Sequence, residues 1–417
     1  MQWRPDVWIF ALLIGGLVGG STTPAVQAQN NQLTERSFVS SPVVLGMGDA
    51  GVALPGRDKV FFYNPAHLPG RGSSFTIFGL QGASTRSLDN HVRFLNDEVA
   101  PAVNGPGPPS EEAIAALDRS ASSLRRRPGR GSGGILLPSF VYSPGALGIG
   151  GGLFTKTAVN YRLETGTGPL PAAWLLSRTD LMAMVSLGLD LRVVGLSGLS
   201  VGVTGTRTRR FLAFKNEPLD DLVGRGPTLR LQGTTTQLDV GATYRPGWLG
   251  SLPGTLHVGG AVYDVLPDDY DYTTGGAGRL PFLDEVVTTP STDSLPAAPG
   301  TLQRARREFQ LRPSYRVGIG YEQPSFFFLD ELGVAVDYQG YGRGRPPSLS
   351  RVHVGARARL GAMRIRAGLR SGGPTGGLGI EVGALEVDYS VHRAEPGRAL
   401  DRAQVYVHTA RLLVRLE

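Results

Sequence analysis

The sequence predicts an all-β protein: a transmembrane, antiparallel, up-and-down β-barrel of about fourteen strands, with an N-terminal plug in its lumen. Two observations predict the barrel. Apolar and polar residues alternate along most of the chain after residue 70, which indicates sheets with one apolar and one polar face. The connections between these stretches are by turns long and short, and short turns on one rim with long loops on the other are typical of outer-membrane barrels.

Residues 1–28 are predicted to be a signal peptide. The apolar run VWIFALLIGGLVGG fills residues 7–20, and the small and polar residues after it end in Val26-Gln27-Ala28, which suits cleavage before Gln29. A run this short does not comfortably span a membrane as a helix. The chain contains no cysteine, so that disulfides and thiolate metal sites are excluded from the exported protein.

Period-two alternation is clear in SRVHVGARARL (350–360) and AMRIRAGLR (362–370), where apolar side chains take every second position. Strands are predicted at 73–84, 135–143, 146–165, 178–193, 197–214, 228–245, 254–264, 312–323, 326–339, 349–360, 362–371, 376–382, 384–392 and 403–416. Their even number, about fourteen, is the number expected of a closed bacterial barrel. A soluble sandwich also alternates, but it has no reason to sort its loops by length.

Aromatic residues near the strand ends are predicted to form the girdles at the two membrane interfaces, although each alone could equally be an ordinary strand residue. They are Tyr142, Tyr161, Tyr244, Trp248, Tyr263, Tyr321, Phe326, Tyr338 and Tyr389.

Two long outer loops interrupt the pattern, at 85–134 and 265–311. The first contains SEEAIAALDRSASSLRRR, in which Ser110 can cap a helix that has one apolar stripe, Ile114, Leu117, Ala121 and Leu124. This helix either packs on the barrel rim or a neighbouring loop, or docks a partner. The second is rich in Pro, Asp, Thr and Gly and is predicted to be a mobile surface loop.

The segment before the first strand, 29–70, shows neither strand alternation nor a long helix. It contains LGMGDAGVAL and then FFYNPAHL, which together resemble the N-terminal signature of the FadL-like superfamily of outer-membrane barrels. The matching positions that we treat as the plug motif are Gly46, Gly48, Gly51, Tyr63, Asn64, Pro65 and Ala66. The end of the chain, GGLGIEVGALEVDYSV, looks more like the PorV-type branch of that superfamily than like FadL itself.

The resemblance implies a segment that folds back as a plug inside a fourteen-stranded barrel. Glycine lets main chain approach a crowded wall, and Asn-Pro fixes a sharp entry into a turn. We therefore expect a signal peptide (1–28), a plug segment (29–70) and an outer-membrane barrel (71–417).

Arginines dominate the polar face of the last strands and could form a basic lane in the lumen. They are Arg351, Arg357, Arg359, Arg364, Arg366, Arg370, Arg411 and Arg415. Acids available to face them are Asp190, Asp239, Asp337, Glu381, Glu386 and Asp388. Two interpretations stay open: an internal salt-bridge network that rigidifies the barrel, or a lane that guides an anionic solute.

The sequence carries no catalytic motif, phosphate loop or histidine pair with metal-ligand spacing, so we expect neither an enzyme nor a cofactor. Asp264, Asp268, Asp269 and Asp271 could hold Ca²⁺, but they lack the EF-hand pattern and are interpreted as solvated loop charge. The net charge of +7 does not imply nucleic acid, because no basic patch is interleaved with aromatics.

Three functions remain open. The first is passive uptake of a hydrophobic or amphipathic small molecule, which is what FadL and TodX transporters do. The second is a PorV-type scaffold or shuttle of type IX protein secretion, whose partners would be secretion-system proteins. The third is a structural barrel without transport. In each case the expected location is the outer membrane, with its lipid as a partner and a hydrophobic or anionic solute as the possible cargo.

Overall fold

The computed structural model describes residues 41–54, 56, 61–103, 110–125, 129–164, 172–218, 229–247, 252–266, 270–274, 313–341, 351–370, 372–393 and 406–416. The predicted signal peptide and the first part of the predicted plug segment lie outside these residues, as does most of the loop predicted at 265–311.

Fifteen strands form one antiparallel sheet, and fourteen of them make the barrel wall. The strands are β1 Gly72–Thr85, β2 Gly129–Ser143, β3 Leu147–Glu164, β4 Ala172–Asp190, β5 Leu199–Pro218, β6 Leu229–Tyr244, β7 Thr255–Tyr263, β8 Thr273–Thr274, β9 Ser314–Phe326, β10 Leu329–Tyr341, β11 Val352–Leu360, β12 Met363–Arg370, β13 Gly373–Val382, β14 Leu385–Arg393 and β15 Tyr406–Leu416.

The sheet closes on itself. Each wall strand pairs with its neighbours in the chain, β7 pairs with β9, and β1 pairs with β15 over Phe75–Leu416 to Thr85–Val407. The two-residue strand β8 lies outside this ring and pairs with β6. The prediction of an up-and-down barrel of about fourteen strands is therefore confirmed, and this number agrees with the one that the FadL-like resemblance implies.

The two largest boundary errors are equal: β4 starts at Ala172 and not at residue 178, and β2 starts at Gly129 and not at residue 135. Its first residues, GRGSGG, pair with Tyr161 to Lys156 of β3. Glycine contributes no side chain to either face, so apolar alternation cannot reveal this part of the strand.

The two faces of the wall differ in chemistry. Outward side chains of the last strands are apolar and exposed, for example Ile365, Leu378, Ile380 and Val387. The side chains between them point inward and are mostly polar, such as Arg366, Glu386 and Asp388. Among the described helices, none is long and apolar enough to cross a membrane.

Four α-helices lie within the described residues: α1 Pro42–Gly46, α2 Arg86–Arg93, α3 Ala100–Val103 and α4 Glu111–Arg125. A π-helical stretch, Phe94–Val99, joins α2 to α3. The helix predicted after Ser110 is confirmed as α4, and the Ser110 hydroxyl accepts from the Ala113 amide at 3.2 Å.

The apolar stripe of α4 is buried within the same chain. Leu117 and Ala121 pack with Phe94 and Val99 against Tyr161 and further outward-facing residues of β3 and β4. The helix therefore packs on the barrel and on neighbouring loop residues, which is the first of the two interpretations given for it. Tyr161 is consequently covered by loop helices, and its prediction as a girdle residue is wrong.

Candidate functional site

The candidate site is the described part of the predicted plug, residues 41–54, 56 and 61–70, which we call the N-terminal segment. It contains α1 and a 3-10 turn, Pro65–His67. Its apolar side chains Val44, Met47, Val52 and Leu54 have no exposed surface. They lie against inward-facing residues of the wall, including Ala335 and Ala261, so that the segment occupies the inside of the barrel at this level.

Wall glycines form the seat of this segment. On each of them an added Cβ would come within 2.1 to 3.3 Å of an atom of the N-terminal segment, closer than ordinary van der Waals contact. This glycine belt consists of Gly148, Gly188, Gly202, Gly241, Gly259, Gly320, Gly355, Gly368 and Gly377, on β3–β7, β9 and β11–β13. Because the belt glycines have no side chains, the N-terminal segment packs directly on the main chain of the wall over most of the circumference.

Of the motif glycines Gly46 and Gly48, Gly48 has less room for a side chain. Its φ of +67° is a conformation that suits glycine, and a Cβ there would lie 2.4 Å from the Val354 carbonyl oxygen. Its amide donates to Thr375 Oγ1 at 2.9 Å, and its carbonyl accepts from His353 Nδ1 at 2.8 Å. The Thr375 hydroxyl in turn donates to the Gly46 carbonyl at 3.0 Å. These contacts fix the first half of the motif to β11–β13.

Asp337 holds the next turn of the segment. One of its carboxylate oxygens accepts from the Gly51 amide at 2.6 Å and from the Val52 amide at 2.8 Å. Asp337 was predicted only as an acid that could face arginines. The structure places it on β10 beneath the plug motif, where it compensates two buried amides.

Asn64 joins two limbs of the segment to the wall. Its Oδ1 accepts from the Ala66 amide at 3.1 Å and so caps the 3-10 turn that begins at Pro65. Its Nδ2 donates to the Val52 carbonyl at 3.0 Å and to the Ala242 carbonyl of β6 at 3.1 Å. The side chain is fully buried, and a side-chain amide can accept at the cap through its oxygen while it donates two hydrogen bonds through its nitrogen.

Tyr63, Asp49 and Arg316 form a buried polar cluster. The Tyr63 hydroxyl donates to Asp49 Oδ1 at 3.1 Å, and Arg316 Nη2 lies 2.9 Å from Asp49 Oδ2. Tyr263 donates to the Tyr63 carbonyl at 2.7 Å. Tyr263 therefore points into the lumen, and its prediction as a girdle residue is wrong. Sequence reasoning missed Arg316 and Asp49; the position of Arg316 on the polar face of β9 was the available signal.

The charges in this cluster shift two pKa values. Burial raises the pKa of Asp49, but the positive charges of Arg316 and Arg370 outweigh burial and hold that pKa well below its ordinary value. Burial, followed by the negative charge of Asp49, raises the pKa of the Tyr63 hydroxyl well above its ordinary value. The cluster is thus a carboxylate, a guanidinium and a neutral phenol at neutral pH.

Most of the predicted lane arginines lie beside carboxylates. Arg366 Nη1 is 2.7 Å from Asp388 Oδ1, and Arg411 Nη2 is 2.7 Å from both Glu386 and Asp388. Arg364 contacts Glu381 and lies 3.4 Å from Glu386. Arg415 lies 3.7 Å from Glu386. These pairs cross β12–β15 on the inward face.

The other lane residues are more dispersed. Arg357 pairs with Glu331 at 2.7 Å and with Glu322 at 2.5 Å, and Arg370 lies 4.0 Å from Asp49. Arg351 is half-buried and Arg359 is exposed. This arrangement favours the salt-bridge network among the two interpretations, since guanidinium and carboxylate groups compensate each other.

The remaining predicted acids have local roles. Asp190 accepts from Arg192 Nε at 2.9 Å, and Asp239 accepts from the Asp264 amide at 3.0 Å. Asp268 and Asp269 lie outside the described residues. Within the described residues there is no group of three or more His, Asp or Glu side chains that could hold a metal ion.

The wall is irregular at β1 and β2. The pairing of β1 with β15 shifts between Thr76 and Phe78, and the pairing of β2 with β3 shifts between Leu136 and Ser139. The glycines at 150–152 and 259–260 are positions where a strand can bulge. Gly259 and Gly260 of β7 pair with β6 and β9 in regular register, so there is no bulge at these two glycines. The irregularity in β2 lies opposite Gly152 of β3.

A cavity of about 40 Å³ lies on the inner side of this irregular wall. The cavity lies between the N-terminal segment, β1–β3 and β15, and its lining includes Arg411 and Arg415. We call it the aromatic cavity. The apolar residues that define it are Phe61, Phe62, Leu136, Phe154 and Leu413. Phe62 and Phe154 meet edge to face with ring centroids 5.0 Å apart.

No protein-family model and no curated protein matches this chain. Among solved structures, the toluene transporter TbuX of Ralstonia pickettii is similar, with 15% sequence identity and a TM-score of 0.47 over 90% of this chain and 97% of that chain. The P. putida toluene transporter TodX is similar with 10% identity and a TM-score of 0.42 over 90% and 97%. The translocator domain of the autotransporter NalP from Neisseria meningitidis gives 11% and 0.36 over 83% and 89%.

Proposed function

We propose that this protein is exported by its signal peptide, resides in the outer membrane and takes up hydrophobic or amphipathic small molecules passively, with the N-terminal segment as its plug. The observation that carries the proposal is the aromatic cavity beside the irregular stretch of β1 and β2. The resemblance of the plug motif to the FadL-like superfamily supports the same function. Amphipathic solutes are included because the polar side chains of Arg411 and Arg415 line the cavity together with its apolar residues.

The glycine belt indicates where a passage would open. Along the belt, movement would separate main chain from main chain and break the hydrogen bonds of Gly48, Gly51 and Asn64. Around the aromatic cavity, the segment meets β1–β3 through the rings of Phe61 and Phe62. Rotating side chains costs less than lifting main chain out of its seat, so we place the passage in the β1–β2 sector.

The size of the cavity requires such a movement. About 40 Å³ holds a few water molecules, whereas an apolar cavity that binds benzene measures about 150 Å³. The proposed solute therefore enters only when Phe61 or Phe62 moves. The irregular ladder opposite these rings lowers the cost, because fewer wall hydrogen bonds oppose local opening.

Uptake of radiolabelled toluene and of a medium-chain fatty acid into vesicles containing the full chain tests this proposal. We expect uptake above that of protein-free vesicles, and a loss of at least about tenfold in Leu136→Trp, which fills the cavity. The matched control is Leu378→Trp, since Leu378 faces outward on β13 and is exposed. Uptake that equals protein-free vesicles for both solutes would overturn the proposal.

A second candidate is a scaffold that grips a secreted protein with its outer loops, as proposed for a PorV-type barrel. The packed helices α2 and α4 favour it, because an ordered loop provides a defined surface. Extraction of the protein from its own membrane and native mass spectrometry distinguish the two. A bound small amphiphile supports uptake, whereas a stoichiometric secreted protein without such a ligand supports the scaffold.

A further inference from the structure

A basic patch lies on the outer surface of the wall, at the end of β5 and β6 that leads to the long loops. Arg210 points inward, where its Nε lies 2.6 Å from Asp180. Arg207 and Arg209 alternate with it and are therefore outward and exposed. Arg230 of β6 shares the outward face and is half-buried. We call Arg207, Arg209 and Arg230 the outer arginine patch.

The patch lies at one boundary of the apolar band. Toward the short-turn rim, the outward residues are aliphatic, including Val185 and Leu187 of β4 and Val203 of β5. A tilted strand needs about 9–11 residues to cross the hydrocarbon core. Counted from Leu199, the first residue of β5, such a crossing ends at 207–209. The guanidinium groups of Arg207 and Arg209 are therefore at the level of lipid headgroups, on the side of the long loops. Arg230 pairs with Ala213 and lies farther toward those loops.

Neutral partners hold the two exposed guanidinium groups. Arg207 Nη1 donates to Thr236 Oγ1 at 2.7 Å, and Arg209 Nη2 donates to Gln232 Oε1 at 3.3 Å. The Arg209 guanidinium also lies 5.1 Å from the centroid of the Phe211 ring. These contacts orient both groups and leave other N–H donors of each guanidinium for an acceptor outside the chain.

No carboxylate faces outward among the described side chains of β3–β7. This differs from the lumen, where arginines such as Arg366 and Arg411 lie 2.7 Å from carboxylates. Guanidinium groups on neighbouring outward positions of β5 and β6, at a membrane boundary, are complementary to an anion.

We propose that the outer arginine patch binds the phosphate groups of a phosphorylated lipid in the outer leaflet, whose acyl chains lie along Val185, Leu187 and Val203. Guanidinium groups match phosphate by bidentate hydrogen bonds. The aliphatic wall below the patch favours a lipid over a free phosphate ion, because it contributes apolar contact that the ion cannot use. This inference rests on the outer-membrane location proposed above, but not on transport.

The test uses the full chain in neutral detergent and native mass spectrometry with lipid A that carries two phosphates, one phosphate or none. We expect the wild type to retain the bisphosphorylated lipid most strongly. Arg207→Gln with Arg209→Gln should weaken retention by at least about tenfold, the effect of about 1.4 kcal/mol. The matched control is Arg86→Gln with Arg119→Gln, two exposed arginines on α2 and α4, which removes the same charge.

Equal retention by the wild type and the patch variant, or by the three lipids, would overturn the proposal. So would full displacement of the lipid by inorganic phosphate, because the acyl chains would then contribute nothing. Arg207→Lys with Arg209→Lys keeps the charge and should recover only part of the affinity. Toluene uptake by the patch variant should stay at the wild-type rate, which separates failure here from failure of the uptake proposal.

Discussion

The carboxylate of Asp49 lies 2.9 Å from the guanidinium of Arg316, and both groups are buried. This pair ties the N-terminal segment to β9, since the same guanidinium also donates to the Asp49 main-chain carbonyl at 2.5 Å. Removing one partner of a buried ion pair leaves the other charge without compensation, which typically costs about 3–5 kcal/mol.

We expect Asp49→Asn to lower the free energy of unfolding by about 3 kcal/mol, the lower end of that range, because Asp337 still lies 3.9 Å from Arg316. Urea unfolding followed by tryptophan fluorescence measures it. The control is Asp118→Asn, because the Asp118 carboxylate pairs with Arg125 on the exposed side of α4. This variant should lower the free energy of unfolding by less than about 1 kcal/mol. Equal effects of the two variants would contradict a special role for the Asp49–Arg316 pair.

Acid should loosen the segment through the same carboxylate. The folded pKa of Asp49 is depressed, so below the ordinary pKa of about 3.9 the unfolded state binds more protons than the folded state. The stabilisation is therefore complete above about pH 4 and is lost as the pH falls toward the folded pKa. Planar-bilayer conductance should rise over that interval in the wild type. In Asp49→Asn, the rise in conductance on acidification should be smaller, because residue 49 no longer takes up a proton.

A single methyl group on the glycine belt should unseat the segment. In Gly202→Ala the new Cβ would lie 2.5 Å from the main chain of Pro65, so we expect a loss of about 1–3 kcal/mol and a higher bilayer conductance. Gly205→Ala is the matched control, because it lies on the same strand with nothing within 4 Å of its Cβ position. Its stability should change by less than about 1 kcal/mol. If Gly202→Ala changed neither the stability nor the conductance, the segment would be held by contacts other than the glycine belt.

Asn64 offers a test that separates capping from bridging. Asp caps helices as well as Asn does, but a carboxylate cannot donate to the carbonyls of Val52 and Ala242, and its charge would be buried. Asn64→Asp should therefore destabilise the protein more than Asn64→Ala. Thermal unfolding on a heat-modifiability gel ranks the two variants. Wild-type stability in Asn64→Asp would mean that only the cap matters.

The wall strands could be predicted from the sequence because each has its own period-two pattern, and an inward-outward alternation does not depend on which neighbour a strand meets. The glycine-rich start of β2 was missed for the lack of side chains. The contacts inside the lumen were harder to predict from the sequence. Arg316 and Asp49 lie 267 residues apart, and no local pattern reveals that they meet. The plug motif could be recognised by resemblance, but the belt opposite it consists of isolated glycines on separate strands.

The separation in sequence between the N-terminal segment and its seat has a consequence for assembly. Gly46 precedes Thr375, its hydrogen-bonding partner, by 329 residues, so most of the seat leaves the ribosome long after the segment does. The segment also runs directly into β1, the strand on which β15 closes the ring. Docking of the segment and closure of the β1–β15 seam are therefore coupled, and a weakened seat should appear as slow, incomplete closure of newly made barrels.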